Sequence, residues 1–196
     1  MVKQIIFATI LDTMKSGLII DFYEFANNKW QTILKGCKAY GGINGFSEDK
    51  KEGDGKTPIG EYDILYGFGI ENTEKFKIPF VSIKNQVWVD DPDSSYYNTM
   101  QDENTGDKWR SAELLNIPCY KYSLVVGYNF YKPIHGKGSA IFIHCLGVNN
   151  YTEGCIALQE PDMYKIMKNI DISYNPKVII NTEREIEYIQ REVLYK

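Results

Sequence analysis

The sequence is poor in the side chains that most often carry nucleophilic or metal chemistry. Its 196 residues include two histidines, His135 and His144, and four cysteines, at positions 37, 119, 145 and 155. Chemistry at an imidazole or a thiol therefore has few possible carriers. No Cys-x-x-Cys pair occurs, which excludes a zinc ribbon or a thioredoxin-type motif, and no group of residues has metal-ligand spacing. Four cysteines in this length do not make a disulfide-built scaffold. Positive charge is not in excess either. The chain carries 22 Lys+Arg against 26 Asp+Glu, a net charge of −4, and the scatter of these charges argues against a nucleic-acid-binding face. Long apolar runs are also missing. The run Ile5 to Leu11 ends at Asp12, far short of the roughly 20 residues that span a bilayer. No small-x-small cleavage site follows it, so it reads as a buried strand rather than a signal peptide. On the residues alone, a cytoplasmic protein and one whose leader has been removed both fit.

What is present describes a folded β-rich chain. Hydrophobic residues make up 43% and charged residues 24%, with 15 Tyr, 9 Phe and 3 Trp, and rings at that density favour strands. Residues 3–11 and 18–25 read as paired strands joined around Lys15-Ser16-Gly17. The stretch Gly36 to Lys56, with glycines at 36, 41, 42, 45, 53 and 55, reads as loop. Its Gly-Lys-Thr at 55–57 runs into Pro58 and lacks the upstream glycine of a phosphate-binding loop. Glu61–Leu65, Val81–Val89, Tyr122–Tyr128 and Ser139–His144 are further strands. Pro161 opens a short amphipathic helix carrying Met163, Ile166, Met167 and Ile170. A second helix is expected over 182–196, where Thr182-Glu-Arg-Glu forms a capping box and Ile186, Ile189 and Val193 share a stripe. No repeat or linker divides the chain, so residues 1–196 form one mainly β domain with a helical tail.

The segment Ala140-Ile-Phe-Ile-His144, followed by Thr152-Glu-Gly-Cys155-Ile, is where chemistry becomes specific. A thiol is strongly nucleophilic as the thiolate, and a nearby imidazole is the usual means of forming it at neutral pH. A strand ending in His144 and a loop returning through Gly154 would bring thiol and imidazole together; on the residues alone, an inert core cysteine and a satisfied histidine at a strand end fit as well. The amides around Cys155 would then face a carbonyl oxygen as an oxyanion hole.

These residues resemble the active-site signature of the L,D-transpeptidase catalytic domain family (YkuD/ErfK-like), in which a His precedes a Ser/Thr-x-Gly-Cys block. Three further stretches resemble the same family in order: Gly55-Lys-Thr-Pro-Ile-Gly60-Glu-Tyr, Trp88-Val-Asp-Asp-Pro-Asp with Tyr97-Asn98, and Gly138-Ser-Ala-Ile-Phe-Ile-His144. The resemblance covers about residues 3–181 and implies a β-sandwich or barrel with short helices. It implies Cys155 as nucleophile on the bond between residues three and four of a peptidoglycan stem peptide, with release of D-Ala. His144 matches the base, oriented by the backbone carbonyl of Cys145 or Gly147. The amides of Gly154 and Cys155 match the oxyanion hole, and an acceptor amine then gives a 3→3 cross-link. No metal or organic cofactor is implied. The expected partners are peptidoglycan stem peptides, with carbapenem-type inhibitors, at an extracytoplasmic location. Water in place of the amine makes the same enzyme an L,D-carboxypeptidase, and loss of activity would leave a wall-binding module.

The chain departs from the commoner family pattern in three places. Glu153 stands where a second His is frequent, the His-to-Cys spacing is eleven, and Cys145 follows the base. A carboxylate at Glu153 is expected to raise the pKa of the thiol. Tyr128, Tyr131 and Thr152 are candidates for the donor groove, with Trp88 beside them. His135 is expected in a loop near the cleft, Cys37 and Cys119 as small apolar fillers, and Asp90-Asp91 as a solvated turn. Cys145 and Cys155 should face opposite sides of the sheet, which disfavours a disulfide between them.

Overall fold

A computed structural model describes residues 1–70, 75–105 and 108–195. Lys196, the last residue of the expected tail helix, lies outside the described residues. The chain opens with three antiparallel strands, β1 (Gln4–Ile10), β2 (Gly17–Ala26) and β3 (Lys29–Tyr40). Two short strands follow, β4 (Phe46–Ser47) and β5 (Thr57–Pro58), paired with each other, then the long β6 (Gly60–Ile70). Next come β7 (Phe80–Ile83), β8 (Gln86–Val89), β9 (Thr99–Asp102) and β10 (Ala112–Leu114). The site-bearing part contains β11 (Ser123–Val126), β12 (Phe142–Cys145) and β13 (Ile156–Leu158). Helix α1 (Glu160–Asn169), β14 (Lys177–Thr182) and helix α2 (Glu183–Leu194) complete the chain.

The main sheet runs β11-β12-β13-β3-β2-β1-β14-β6-β7, and β11 pairs with β6 as well. Eight strands therefore close on themselves as a barrel, with β7 added at the edge of β6. Closure leaves few free strand edges. The fold is mainly β, as the sequence leads one to expect, and the barrel form is the one adopted.

Period-two alternation sorts the side chains. On β1, Ile6 and Ala8 enter the central core while Ile5 and Phe7 face outward. On β12, Ile143 and Cys145 enter the same core, and Phe142 joins a second cluster outside the barrel with Trp88, Leu115 and Tyr120. That second cluster is covered by a separate three-stranded sheet, β10-β8-β9. Helix α1 adds Met163, Ile166 and Met167 to the central core, and Ile170, just past its end, joins them. Helix α2 lays Ile186, Ile189 and Val193 on the outer faces of β1 and β14.

Several local expectations give way. Gly36 to Tyr40 is not loop but the end of β3: Cys37 to Tyr40 pair with Gly17 to Ile20 of β2, and Gly36, at φ +68° where the register shifts, gives its N–H to Asp21 Oδ1. Val81 to Val89 is two strands in two sheets, broken at Lys84-Asn85. Ser139 to Ile141 stays outside β12, since Ala140 adopts φ +53°. Thr182 does precede α2, but its side chain makes no capping hydrogen bond.

Candidate active site

Strands β12 and β13 run parallel with Ile143 opposite Ile156 and His144 opposite Ala157. Cys155, one residue before β13, falls beside Phe142. Its Sγ accepts the Phe142 N–H at 3.2 Å and donates to the Ala140 carbonyl at 3.1 Å. The residue is 6% exposed. Burial drives its pKa well above the ordinary thiol value, and the Glu113 carboxylate adds to the rise. The Phe142 amide and the Lys50 charge oppose it. At rest the thiol is protonated.

His144 lies two residues beyond Phe142 on the same face of β12 and is also 6% exposed. Its Nδ1 donates to the Cys145 carbonyl at 2.8 Å, which leaves Nε2 as the acceptor of the neutral ring. Burial lowers its pKa to about 4, with hydrogen bonding by the Cys145 and Cys119 backbones pulling the other way. The ring is neutral near pH 7. Tyr120 packs edge-on against it, with centroids 5.0 Å apart, and donates its hydroxyl to Glu113. In this arrangement the thiol bonds to backbone and not to the imidazole.

Two networks hold the pair in place. The Cys155 carbonyl accepts from the hydroxyls of Thr152 at 2.7 Å and Thr57 at 3.3 Å. Thr57 is fully buried and also accepts the Gly42 N–H at 2.8 Å, so the Lys56-Thr57-Pro58 segment is tied directly to the Cys155 backbone. Gly154, at φ +147°, passes so close to this turn that a Cβ would meet the Lys56 carbonyl at 2.9 Å. The second network centres on buried Asn98. Its Oδ1 accepts from Trp88 Nε1 at 2.9 Å and from the Ala140 N–H at 3.1 Å, and its Nδ2 donates to the Asn129 carbonyl at 2.7 Å. Ala140 is thereby kept in the left-handed region, unfavourable for a residue with a Cβ, with its carbonyl on the thiol.

Both residues open into one cavity of about 530 Å³, whose wall includes Glu52, Asp90, Glu113, Cys119, Thr152 and Gly154. A neutral thiol and a neutral, anchored imidazole on one cavity wall suit nucleophilic acyl chemistry.

Residues 25–180 match the family described as YkuD, L,D-transpeptidase catalytic domain. The chain belongs to that family. No curated protein matches the sequence significantly. Among solved structures, the chain is similar to the helical cell shape determining protein Pgp2 from Campylobacter jejuni, at 16% identity and a TM-score of 0.48. That match covers 92% of this chain and 48% of the Pgp2 chain, so this chain spans about half of its length. No helix among the described residues is long and apolar enough to cross a membrane.

Within this L,D-transpeptidase domain the sequence candidates separate clearly. Cys155, His144, Gly154, Gly147 and Thr152 all reach the cavity. The carbonyl on the imidazole is that of Cys145, not Gly147. The Gly154 N–H bonds to Thr152 Oγ1 at 3.1 Å, so Thr152 shapes the nucleophile loop through its hydroxyl. Tyr128 and Tyr131 do not line the cavity. Tyr128 packs edge-on against Tyr62 with its hydroxyl on the Lys137 carbonyl at 2.5 Å, and Tyr131 lies exposed against Phe130. Trp88 is buried beneath the site, edge-on to Phe142. His135 is an exposed loop residue stacked on Tyr97, and it does not line the cavity either.

Asp91 is no solvated turn. It is buried, pairs with Arg110 at 3.1 Å and accepts the Asp93 and Arg110 amides. Asp90 faces the cavity with a buried, unpartnered Oδ1. Glu153 stands on the exposed rim, and the carboxylate that raises the thiol is Glu113. Cys119 is part of the cavity wall, all four cysteines are free, and Cys145 and Cys155 belong to opposite clusters. Lys50, Glu52, Glu113 and Tyr120 escape sequence reasoning. Each is an ordinary residue in its local stretch, and only the folded chain brings it to the site.

Proposed function

We propose that the chain is a cysteine-dependent L,D-transpeptidase that joins peptidoglycan stem peptides by 3→3 cross-links. The observation that carries this reading is that Cys155 and an anchored, neutral His144 line one and the same cavity. Sγ turns from the Ala140 carbonyl and gives its proton to His144 Nε2. The thiolate then attacks the carbonyl between stem residues three and four. The Cys155 amide receives the developing oxyanion, joined by that of Gly154 once it exchanges its bond to Thr152. Collapse breaks the C–N bond, His144 returns the proton to the leaving D-Ala amine, and a thioester remains on Cys155. A side-chain amine of a second stem attacks the thioester and loses a proton to His144. The new amide forms as the C–S bond breaks, and the thiol is restored. Because the substrate is cell-wall peptide, this reading places the domain outside the cytoplasmic membrane.

Incubation with disaccharide-tetrapeptide tests it. Cross-linked dimer with released D-Ala is expected from the protein and not from Cys155→Ala. Free tripeptide alone would make the enzyme an L,D-carboxypeptidase, with water as acceptor. No turnover by the folded protein would contradict both.

A further inference from the structure

Among the described residues, Lys50 is the one Lys or Arg side chain in the cavity wall, and it is 3% exposed. Two glycines make its lane. At Gly138 (φ +101°) a Cβ would lie 3.0 Å from Lys50 Cε and 3.1 Å from its Cγ, and at Gly154 a Cβ would lie 3.4 Å from Nζ. The ammonium is thus delivered beside the residue that precedes the nucleophile.

Nζ donates to Asp54 Oδ1 at 2.8 Å and to the Lys51 carbonyl at 3.3 Å. An ammonium has three N–H groups, and among the described residues the third has no acceptor. Asp54 is itself shared, accepting the Lys56 N–H at 2.9 Å on Oδ1 and the Lys51 N–H at 2.8 Å on Oδ2. Of the acids in the cavity wall, Glu52 and Glu113 are engaged elsewhere, while Asp90 keeps its unpartnered Oδ1. Glu52 accepts from Tyr97 at 2.5 Å, Ser139 at 2.7 Å and the Gly53 N–H at 3.3 Å, and Glu113 accepts from Tyr120.

We infer that Lys50 reads the terminal carboxylate of the donor stem. This deepens the acyl-transfer reading and rests on it. In a donor with one residue after the scissile bond, only an amide nitrogen and a Cα separate that carboxylate from the attacked carbonyl. A cation beside Gly154 is placed to receive it when the carbonyl reaches Cys155. A donor without the charge leaves the third N–H buried and unpaired, which is costly.

The test compares two donors: the tetrapeptide stem with a free terminal carboxylate, and the same stem as its terminal amide. Release of D-Ala or D-alaninamide is followed by mass spectrometry. Wild type should favour the acid by roughly 30-fold or more in kcat/KM, as for one partner of a buried charge pair. Lys50→Met should collapse that ratio toward one, and Lys50→Arg should keep most of it. Loss of loop order would lower both donors together and leave the ratio intact. A wild type without preference, or a Lys50→Met ratio equal to that of wild type, overturns the inference. Should Lys50→Met fail to fold, the wild-type ratio and its retention in Lys50→Arg decide. Wild-type turnover of neither donor overturns the acyl-transfer reading itself.

Discussion

The barrel has two covered outer faces, and they differ in one respect that matters. Beneath α2, the outward residues Ile5, Phe7, Tyr23 and Ile179 meet Ile186, Ile189 and Val193 in an apolar layer. Beneath the sheet β10-β8-β9, Phe68, Val125 and Phe142 meet Trp88, Leu115 and Tyr120 in much the same way. On that second face the apolar cover stops short of the ends of β12 and the start of β13. There the alternation continues outward with His144, edge-on to Tyr120, and both His144 and Cys155 line a cavity. One pattern of strand alternation therefore builds a sealed face and a reactive one. What separates them is where the cover ends.

Four tests sharpen or break that contrast. The largest effect is expected from His144→Gln, which should lower kcat/KM for donor turnover by about 10²–10⁴-fold, with far-UV circular dichroism unchanged. A mere tenfold loss would remove His144 as the base. Next come two core truncations of opposite consequence. Phe142→Ala should cost about 3–5 kcal/mol and Ile186→Ala about 2–5 kcal/mol in urea unfolding. Only Phe142→Ala should also slow acylation, because it supports both the thiol's amide donor and the ring stack on Tyr120. Equal loss of activity in both variants would erase the distinction between the faces.

The third concerns pH. His144 is depressed to about 4 in the folded protein from an ordinary 6.5. The stability gained from its neutral form is present above pH 6.5 and is lost as pH falls toward 4. Glu113 has the opposite sign. Although the residue as a whole is half-buried, enclosure of its carboxyl raises the pKa from 4.5 to about 7, so its contribution is present below pH 4.5 and is lost as pH rises through 7. Glu113→Gln should flatten the alkaline part of the unfolding profile. It should also speed alkylation of Cys155 by iodoacetamide a few-fold at pH 8, since it removes the carboxylate that opposes the thiolate. A slower reaction would contradict the assigned electrostatics. The smallest effect is expected from Thr182→Ala, within about 0.5 kcal/mol, because Thr182 makes no side-chain cap. A cost above 1 kcal/mol by urea titration would show that the cap forms in solution.

Thr182 also shows where sequence reading stops. The capping-box pattern locates the start of α2 correctly, yet the hydrogen bond it implies is absent. Alternation and motif order locate β1, β2, β12, His144 and Cys155, because those signals lie within a few residues of one another. The end of β3 from Gly36 to Tyr40 is not visible, because its glycine looks like a loop until β2 supplies the partner strand. The same holds for the groups that tune the thiol. Glu113 reaches Cys155 through the small sheet, and Lys50 reaches it through the lane at Gly138 and Gly154, contacts made by chain closure over long separations. Asn98 is intermediate. It belongs to a legible motif, but its task of fixing Ala140 and Trp88 appears only in the folded chain. Tyr128 and Tyr131, chosen for their ring chemistry, lie outside the cavity wall, Tyr128 edge-on to Tyr62 and Tyr131 beside Phe130.

The central claim is that Cys155, among four free cysteines, is the acylated residue. Incubating the intact protein with a carbapenem and weighing it tests this directly. A single adduct of the inhibitor's mass is expected, mapped to the peptide containing Cys155 and absent from Cys155→Ala. An adduct that persists in Cys155→Ala, or that maps to Cys119 or Cys145, would contradict the account.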